Sequence, residues 1–330
     1  MPIVDLSARH RTAARAGEDA VRSAPRRLGL SLRELQEAAL RAGRAPLPFD
    51  LDGDLDAAAA AGGISERLGA SPGEDDARAF RSAAARLADP VDTLERRGLL
   101  DAGHLEPGLA GALGVLATAD LAVDIAVHLP GLQARAWHRR RGEAVACLAT
   151  LDGLVFELAW LPVDRWAGEL ARVAALSPDL ALRPSGVPAL VDLPRELADA
   201  GAEAVRAGRS DLLPVLAQRW AGRVLGASSG EAATVPLGEA EVVRVLAALG
   251  SEARGRLRAL TARTTPAAAV DRIGVVAWTL LADGWHALRA HRRRGEERVE
   301  LTAVGPDDLA ARLGPAVAAV LATDASGGGA

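Results

Sequence analysis

From Val123 onward the chain alternates. Val123, Ile125, Val127 and Leu129 interleave with Asp124, Ala126 and His128, the two-residue period of a strand with one face turned to a core. Pro130-Gly131 predicts a turn into a strand over 133–140, and Gly142 a turn into 143–151. Asp152-Gly153, a strong hairpin dipeptide, predicts a turn into 154–161. A helix over 164–176 follows. Near the other end the same order recurs, with strands over 274–281, 285–292 and 297–304 and a helix over 307–321. The turns of that second run fall at Asp283-Gly284 and Arg294-Gly295. Phe156 to Leu161 align with Val299 to Val304, Asp164 with Asp307, Trp166 with Leu309 and Leu170 with Leu313, always 143 positions apart. Asp164 and Asp307 each stand where a helix N-cap needs a side-chain acceptor. The period is too long for a solenoid. It predicts a quasi-two-fold α+β fold, a duplicated unit with a central antiparallel sheet flanked by helical bundles.

Helical spacing marks the other elements. Ser31 and Glu34 form a capping box, Leu32, Leu35, Ala39 and Leu40 make one stripe, and Gly43 is a stop. Pro46 to Leu51 is extended because of its two prolines. Ser71-Pro72-Gly73-Glu74 is a second capping box; its helix passes Phe80 and Leu87, breaks at Pro90 and stops at Arg97-Gly98. Leu109, Leu113 and Leu116 line a helix over 106–117. Pro184 to Pro188 is a linker, after which helices are expected over 189–207, 210–225 and 238–260. Residues 52–70 read as a loop or weak helix. The expected organisation is a mobile N-terminal extension over 1–28, two halves of one domain over 29–183 and 184–322, and a disordered tail over 323–330.

Composition narrows the function classes. The chain has 330 residues, 49% of them hydrophobic, enough for a large core. A net charge of −4 gives no reason to expect nucleic acid. All basic residues are Arg, and Lys, Asn and Tyr are absent, a GC-rich bias that lowers the weight of any Arg cluster. The single cysteine, Cys147, excludes an internal disulfide and fits a reducing compartment. The longest apolar stretch carries Asp120 and Asp124, so membrane insertion is not expected, and the reading is a cytoplasmic protein.

Candidate chemistry is sparse. Gly226-Ala227-Ser228-Ser229-Gly230 matches a nucleophile elbow in letters, but that motif needs a strand before it and a helix after it, and a helix is expected before it. A hydrolase using Ser228 is therefore the alternative, with a ligand-binding regulatory protein as a third reading. Asp50 to Asp56 resembles a calcium loop, but its sixth position is Leu55 and its twelfth is Ala61, so the ligand geometry fails. The histidines have no metal spacing with Cys147 or one another, and Cys147 reads as a small mid-strand hydrophobe. No catalytic residue, cofactor or metal is expected. His138-Arg139-Arg140-Arg141-Gly142-Glu143 returns as His291-Arg292-Arg293-Arg294-Gly295-Glu296, but at a spacing of 153, so the two are not equivalent positions. They read as charged hairpin turns, with an anion site as the functional alternative. Trp278 and Trp285 read first as core, with a partner contact as the alternative.

Leu30 to Leu35 with Leu47-Pro48-Phe49-Asp50-Leu51, then Leu94 to Asp101 with Leu105 to Leu109, follow one another as in a known family. The strands, the Asp164 helix and the closing unit Val299 to Leu313 continue that order. Over residues 28–322 the chain resembles the EspG family of actinobacterial type VII (ESX) secretion chaperones. The resemblance implies a non-enzymatic cytoplasmic chaperone that binds a secreted helical PE/PPE-like or WxG-like protein and keeps it soluble before export. It implies a partner surface on strands 274–292 and helix 238–260. Val276, Trp278, Leu280, Trp285 and His286 are the candidate contacts, on that face of the hairpin or the opposite one.

Overall fold

The computed structural model describes residues 26–49, 72–227, 234–264 and 273–321. The acidic loop Asp50–Asp56, the capping box at Ser71, residues 52–70, Ser228 and the tail lie outside them. The strands form a large antiparallel β-sheet which, with the helices, gives a mixed α+β architecture. The chain divides into two compact units, and not by a single cut.

The first unit draws on the described residues of Met1–Asp124, Ala134–Trp166 and Ala262–Arg272. It opens with β1 (Arg26–Ser31) and α1 (Leu32–Arg41), then α2 (Pro72–Ala85), α3 (Pro90–Arg96), the small hairpin β2 (Leu100–Asp101) and β3 (His104–Leu105), and α4 (Pro107–Ala117). β4 (Leu121–Leu129) is divided between the units, and β5 (Leu132–Arg141), β6 (Ala144–Thr150) and β7 (Val155–Pro162) follow. The strand order here is β1-β7-β6-β5. The capping box is real: Ser31 Oγ accepts from the Glu34 N–H at 3.2 Å, and the Ser31 N–H donates to Glu34 Oε2 at 2.8 Å. Pro90 does break the helix, because Asp89 caps a new one through the N–H groups of Val91 and Asp92. α4 is apolar on every side and is buried accordingly, with Leu109, Ala112 and Leu113 at 0% exposure. It packs with Leu30, Leu35, Leu148, Phe156, Leu158 and Trp160 in one core. Each fully buried leucine contributes about 1.5–3 kcal/mol of transfer free energy.

The second unit draws on the described residues of Ile125–Gln133, Ala167–Thr261 and Ile273–Ala330. It contains α5 (Trp166–Ala174) but for its first residue, β8 (Leu190–Pro194), α6 (Arg195–Arg206), α7 (Leu213–Arg219), β9 (Leu225–Ala227), β10 (Val235–Pro236) and α8 (Glu239–Glu252). Most of β11 (Gly255–Arg263) follows, then β12 (Ile273–Leu280), β13 (Trp285–Arg293), β14 (Glu296–Val304) and α9 (Asp308–Leu321). The strand order is β11-β12-β13-β14-β8-β9-β10. Val191, Leu193, Val299 and Leu301 share one sheet face with Leu197, Leu213, Val242 and Leu246 of the covering helices.

Three helical expectations shorten to admit strands. The segment 189–207 opens with β8, 210–225 ends its helix at Arg219 before β9, and 238–260 yields to β11 after Glu252. In β11 the buried Leu257, Ala259 and Thr261 alternate with Arg256 and Arg258, a strand period that begins at the helix-weakening Gly255. Arg26, Arg27 and Leu28, expected in a mobile extension, are the first half of β1. The Asp caps also differ: a 3-10 turn, Val163–Arg165, absorbs Asp164, while Asp308 rather than Asp307 accepts from the Gly305 N–H.

The duplication reaches further than expected. β1 pairs with β7 through Leu30 and Phe156; β8 pairs with β14 through Leu193 and Val299. Leu30 and Leu193 correspond, Phe156 and Val299 correspond, and a helix begins two residues after each leucine. Each repeat therefore has a strand–helix pair, a strand meander and a closing helix, although the helix that closes the first repeat, α5, falls almost wholly in the second unit. The two His-Arg-Arg-Arg-Gly-Glu runs are not equivalent within it, as their spacing predicts: the first closes the β5–β6 turn and the second the β13–β14 turn.

Candidate partner-binding surface

The five candidate contacts sit on β12 and β13 in the second unit, and the structure sorts them by face. Leu280 is opposite Trp285 in the register and Trp278 opposite Ala287, so these side chains point to the same side. Trp278, Leu280, Trp285 and His286 are buried, at 2% exposure or less, and only Val276 is half-buried. The tryptophan rings lie 6.2 Å apart at 54°, and Trp285 Nε1 donates to the Ala174 carbonyl at 2.8 Å. His286 is held by Asp283 at 2.9 Å. These are interior groups, and α9 lies against β12, close enough for Ala316 to exclude a side chain at Gly274. In the folded unit the side chains of these four residues are covered.

The opposite face of the same hairpin carries His286, which is buried, and opens only beyond it. Val275 is 53% exposed and Leu288 37%, and Leu288 stands opposite Ala277 in the register, so Val275, Ala277, Leu288 and Ala290 form one apolar face. Farther along β14 and β8 that face is covered by α6, α7 and α8. The surface therefore ends in an uncovered apolar patch beside a helical layer, and nothing in it is nucleophilic. Period-two alternation predicts both faces but not which is buried, so residue choice alone could not separate Val275 from Val276.

On the buried-residue side of the sheet, β13, β14 and β8 carry charges. Arg289 donates from Nε and Nη2 to the two oxygens of Glu300, at 3.1 and 2.8 Å, which holds its guanidinium above the ordinary range. Arg298, 4% exposed, donates to Asp192 Oδ1 at 2.9 Å, to Glu296 Oε2 at 2.8 Å and to the carbonyls of Asp192 and Arg223. The residues of this network are far apart in sequence, and only the Arg-rich turn hinted at it.

In the first unit, β5 and β6 set His138 opposite Cys147. Cys147 Sγ lies 3.0 Å from His138 Nδ1, and Trp166 Nε1 lies at the same distance from that nitrogen. All three are buried, so this is a polar knot within the sheet and not an accessible nucleophile. Gly226 and Ala227 of the elbow-like motif end β9, so a strand does precede Ser228, contrary to the helix expected there. The chain then returns as β10, paired with Gly226 through Val235, where an elbow needs a helix. Among the described residues no three His, Cys, Asp or Glu side chains are grouped to hold a metal ion, and no helix is long and apolar enough to cross a membrane.

No family model matches the chain, and no curated protein matches it. Solved structures do. One is the Mycobacterium tuberculosis type VII secretion system chaperone EspG5 in complex with a PE25–PPE41 dimer, at a TM-score of 0.55 and 12% identity, covering 89% of this chain and 96% of that one. At that coverage the alignment draws on both units, and the chain thus has the EspG-type fold.

Proposed function

We propose that the protein is a non-enzymatic cytoplasmic chaperone for a helical type VII secretion substrate of the PE/PPE kind, holding it soluble before export. The observation that carries this reading is the fold shared, over nearly the full length of both chains, with a chaperone solved on such a client. The open face of β12–β13 supports it. Val275, Ala277, Leu288 and Ala290 give a helical client an aliphatic surface to cover its own apolar tip. The sequence-based contacts shift accordingly: Val276 stays at the margin, Trp278, Leu280 and Trp285 act as the rigid floor beneath, and the buried His286 closes the inner end of the open face.

The test is capture from native cytosol, with mass spectrometry of bound proteins. A helical export substrate in stoichiometric amount is the expected outcome. Replacing Val275 and Leu288 together by Glu should abolish capture while leaving the melting temperature within a few degrees of the parent, since exposed substitutions cost roughly 0.5 kcal/mol or less. Undiminished capture by that variant would move the client surface elsewhere.

A further inference from the structure

The turn between β13 and β14 and the loop between α7 and β9 line an open cleft of about 320 Å³ in the second unit. Its lining includes Arg223, Arg293, Arg294, Arg298 and a single acid, Glu296. Asp192 lies behind, in contact with Arg298 and, at 3.7 Å, with Arg293. Four guanidinium groups thus face two carboxylates, in a protein whose net charge is −4.

The carboxylates are already committed. Both oxygens of Glu296 are engaged, one by Arg298 at 2.8 Å and the other by Arg223. Asp192 Oδ1 accepts from Arg298 and contacts His291 Nε2 at 3.1 Å. Arg223 is fixed further by its cation–π contact with Trp220, 4.3 Å from the ring centroid. Arg298 forms a rigid floor at 4% exposure. That leaves Arg293, 52% exposed and held only by the long contact to Asp192, and Arg294, which has no ion pair among the described residues. Both stand at the rim, where a guanidinium fork can close on an oxyanion.

We infer that this cleft binds a dianionic phosphate group, with Arg293 and Arg294 as its ligands and the Arg223–Glu296–Arg298 network as the wall that positions them. The excess of two positive charges matches the ligand's charge. The site is separate from the apolar face of β12–β13, and it holds whether or not the protein is a chaperone.

The experiment is titration calorimetry of the full chain with inorganic phosphate and with a nucleoside monophosphate, against chloride at equal ionic strength. Saturable heat with phosphate is expected. Equal affinity for both ligands would identify free phosphate as sufficient, and tighter binding of the nucleotide would assign the phosphate group of a larger ligand. Arg293→Gln and Arg294→Asn, both at exposed positions, should each weaken binding roughly tenfold through a lost charge-assisted pair, with Arg206→Gln on α6 as an unaffected control. Circular dichroism would verify that all variants are folded. Heat that does not saturate, or affinity that the rim variants leave unchanged, would overturn the site.

Discussion

Glu34 is one carboxylate on which several elements converge. Burial raises its pKa, but the N–H of Ser31 and the guanidinium of Arg97, 2.8 Å away, more than offset this and hold it below its ordinary value of 4.5. A lowered folded-state pKa contributes stability that is present above the unfolded value and disappears as pH falls through the folded one. Chemical denaturation should therefore show stability declining on acidification below about pH 4.5, with Glu252, held low by Ser185 and Gly186, adding to the slope. Glu34→Gln should cost about 1–3 kcal/mol near neutrality and flatten that decline. Asp192 presents a parallel case. Removing it leaves the buried Arg298 with Glu296 as its one carboxylate partner among the described residues, so Asp192→Ala should cost about 1–3 kcal/mol through the lost charged hydrogen bond. Arg294 pulls the other way. At φ 52° in a two-residue turn it occupies the left-handed region that Asn tolerates better, so Arg294→Asn should raise stability by up to about 1 kcal/mol even as it weakens phosphate binding.

Where α6 and α8 cross, two glycines let the backbones approach. A Cβ at Gly201 would meet the Leu246 side chain at 2.8 Å, and one at Gly250 would meet Val205 Cβ at 2.7 Å. Val205 Cβ is fixed to its own backbone, so Gly250→Ala should cost about 1–3 kcal/mol in melting experiments. Neither contact was legible in the sequence, because it depends on how two distant helices meet. What was legible follows from local chemistry. The hairpin turns, the Ser31 box and the Pro90 break all lie within a few residues of the groups that cause them. β8, β9 and β11 were lost because Ala and Leu fill both helices and strands in this chain. Their pairing partners, not their own letters, decided the outcome. Of the candidate surface, the alternation of the hairpin was legible but not its sidedness, since the face carrying Trp278 is the interior one.

Taken together, the two units repeat one plan at 143 positions for β7 and β14, with the leading strand of each returning to pair beside it. Sequence exposed the late half of each repeat and hid the early half, since β1 and β8 are short and carry only five or six residues of pattern. That leading strand has a consequence in time. Arg27 and Glu157 are ion-paired across β1 and β7 although they stand 130 positions apart. During synthesis, at roughly 5–20 residues per second, β1 emerges on the order of ten seconds before the strand it must join. Through that interval it has no partner, while β5, β6 and β7 can close their own short turns as soon as they appear. A waiting strand of bare aliphatic residues would be an invitation to neighbouring nascent chains. Arg26 and Arg27 at its start guard it, and replacing both with Val should leave the finished fold in place while lowering the yield of soluble protein.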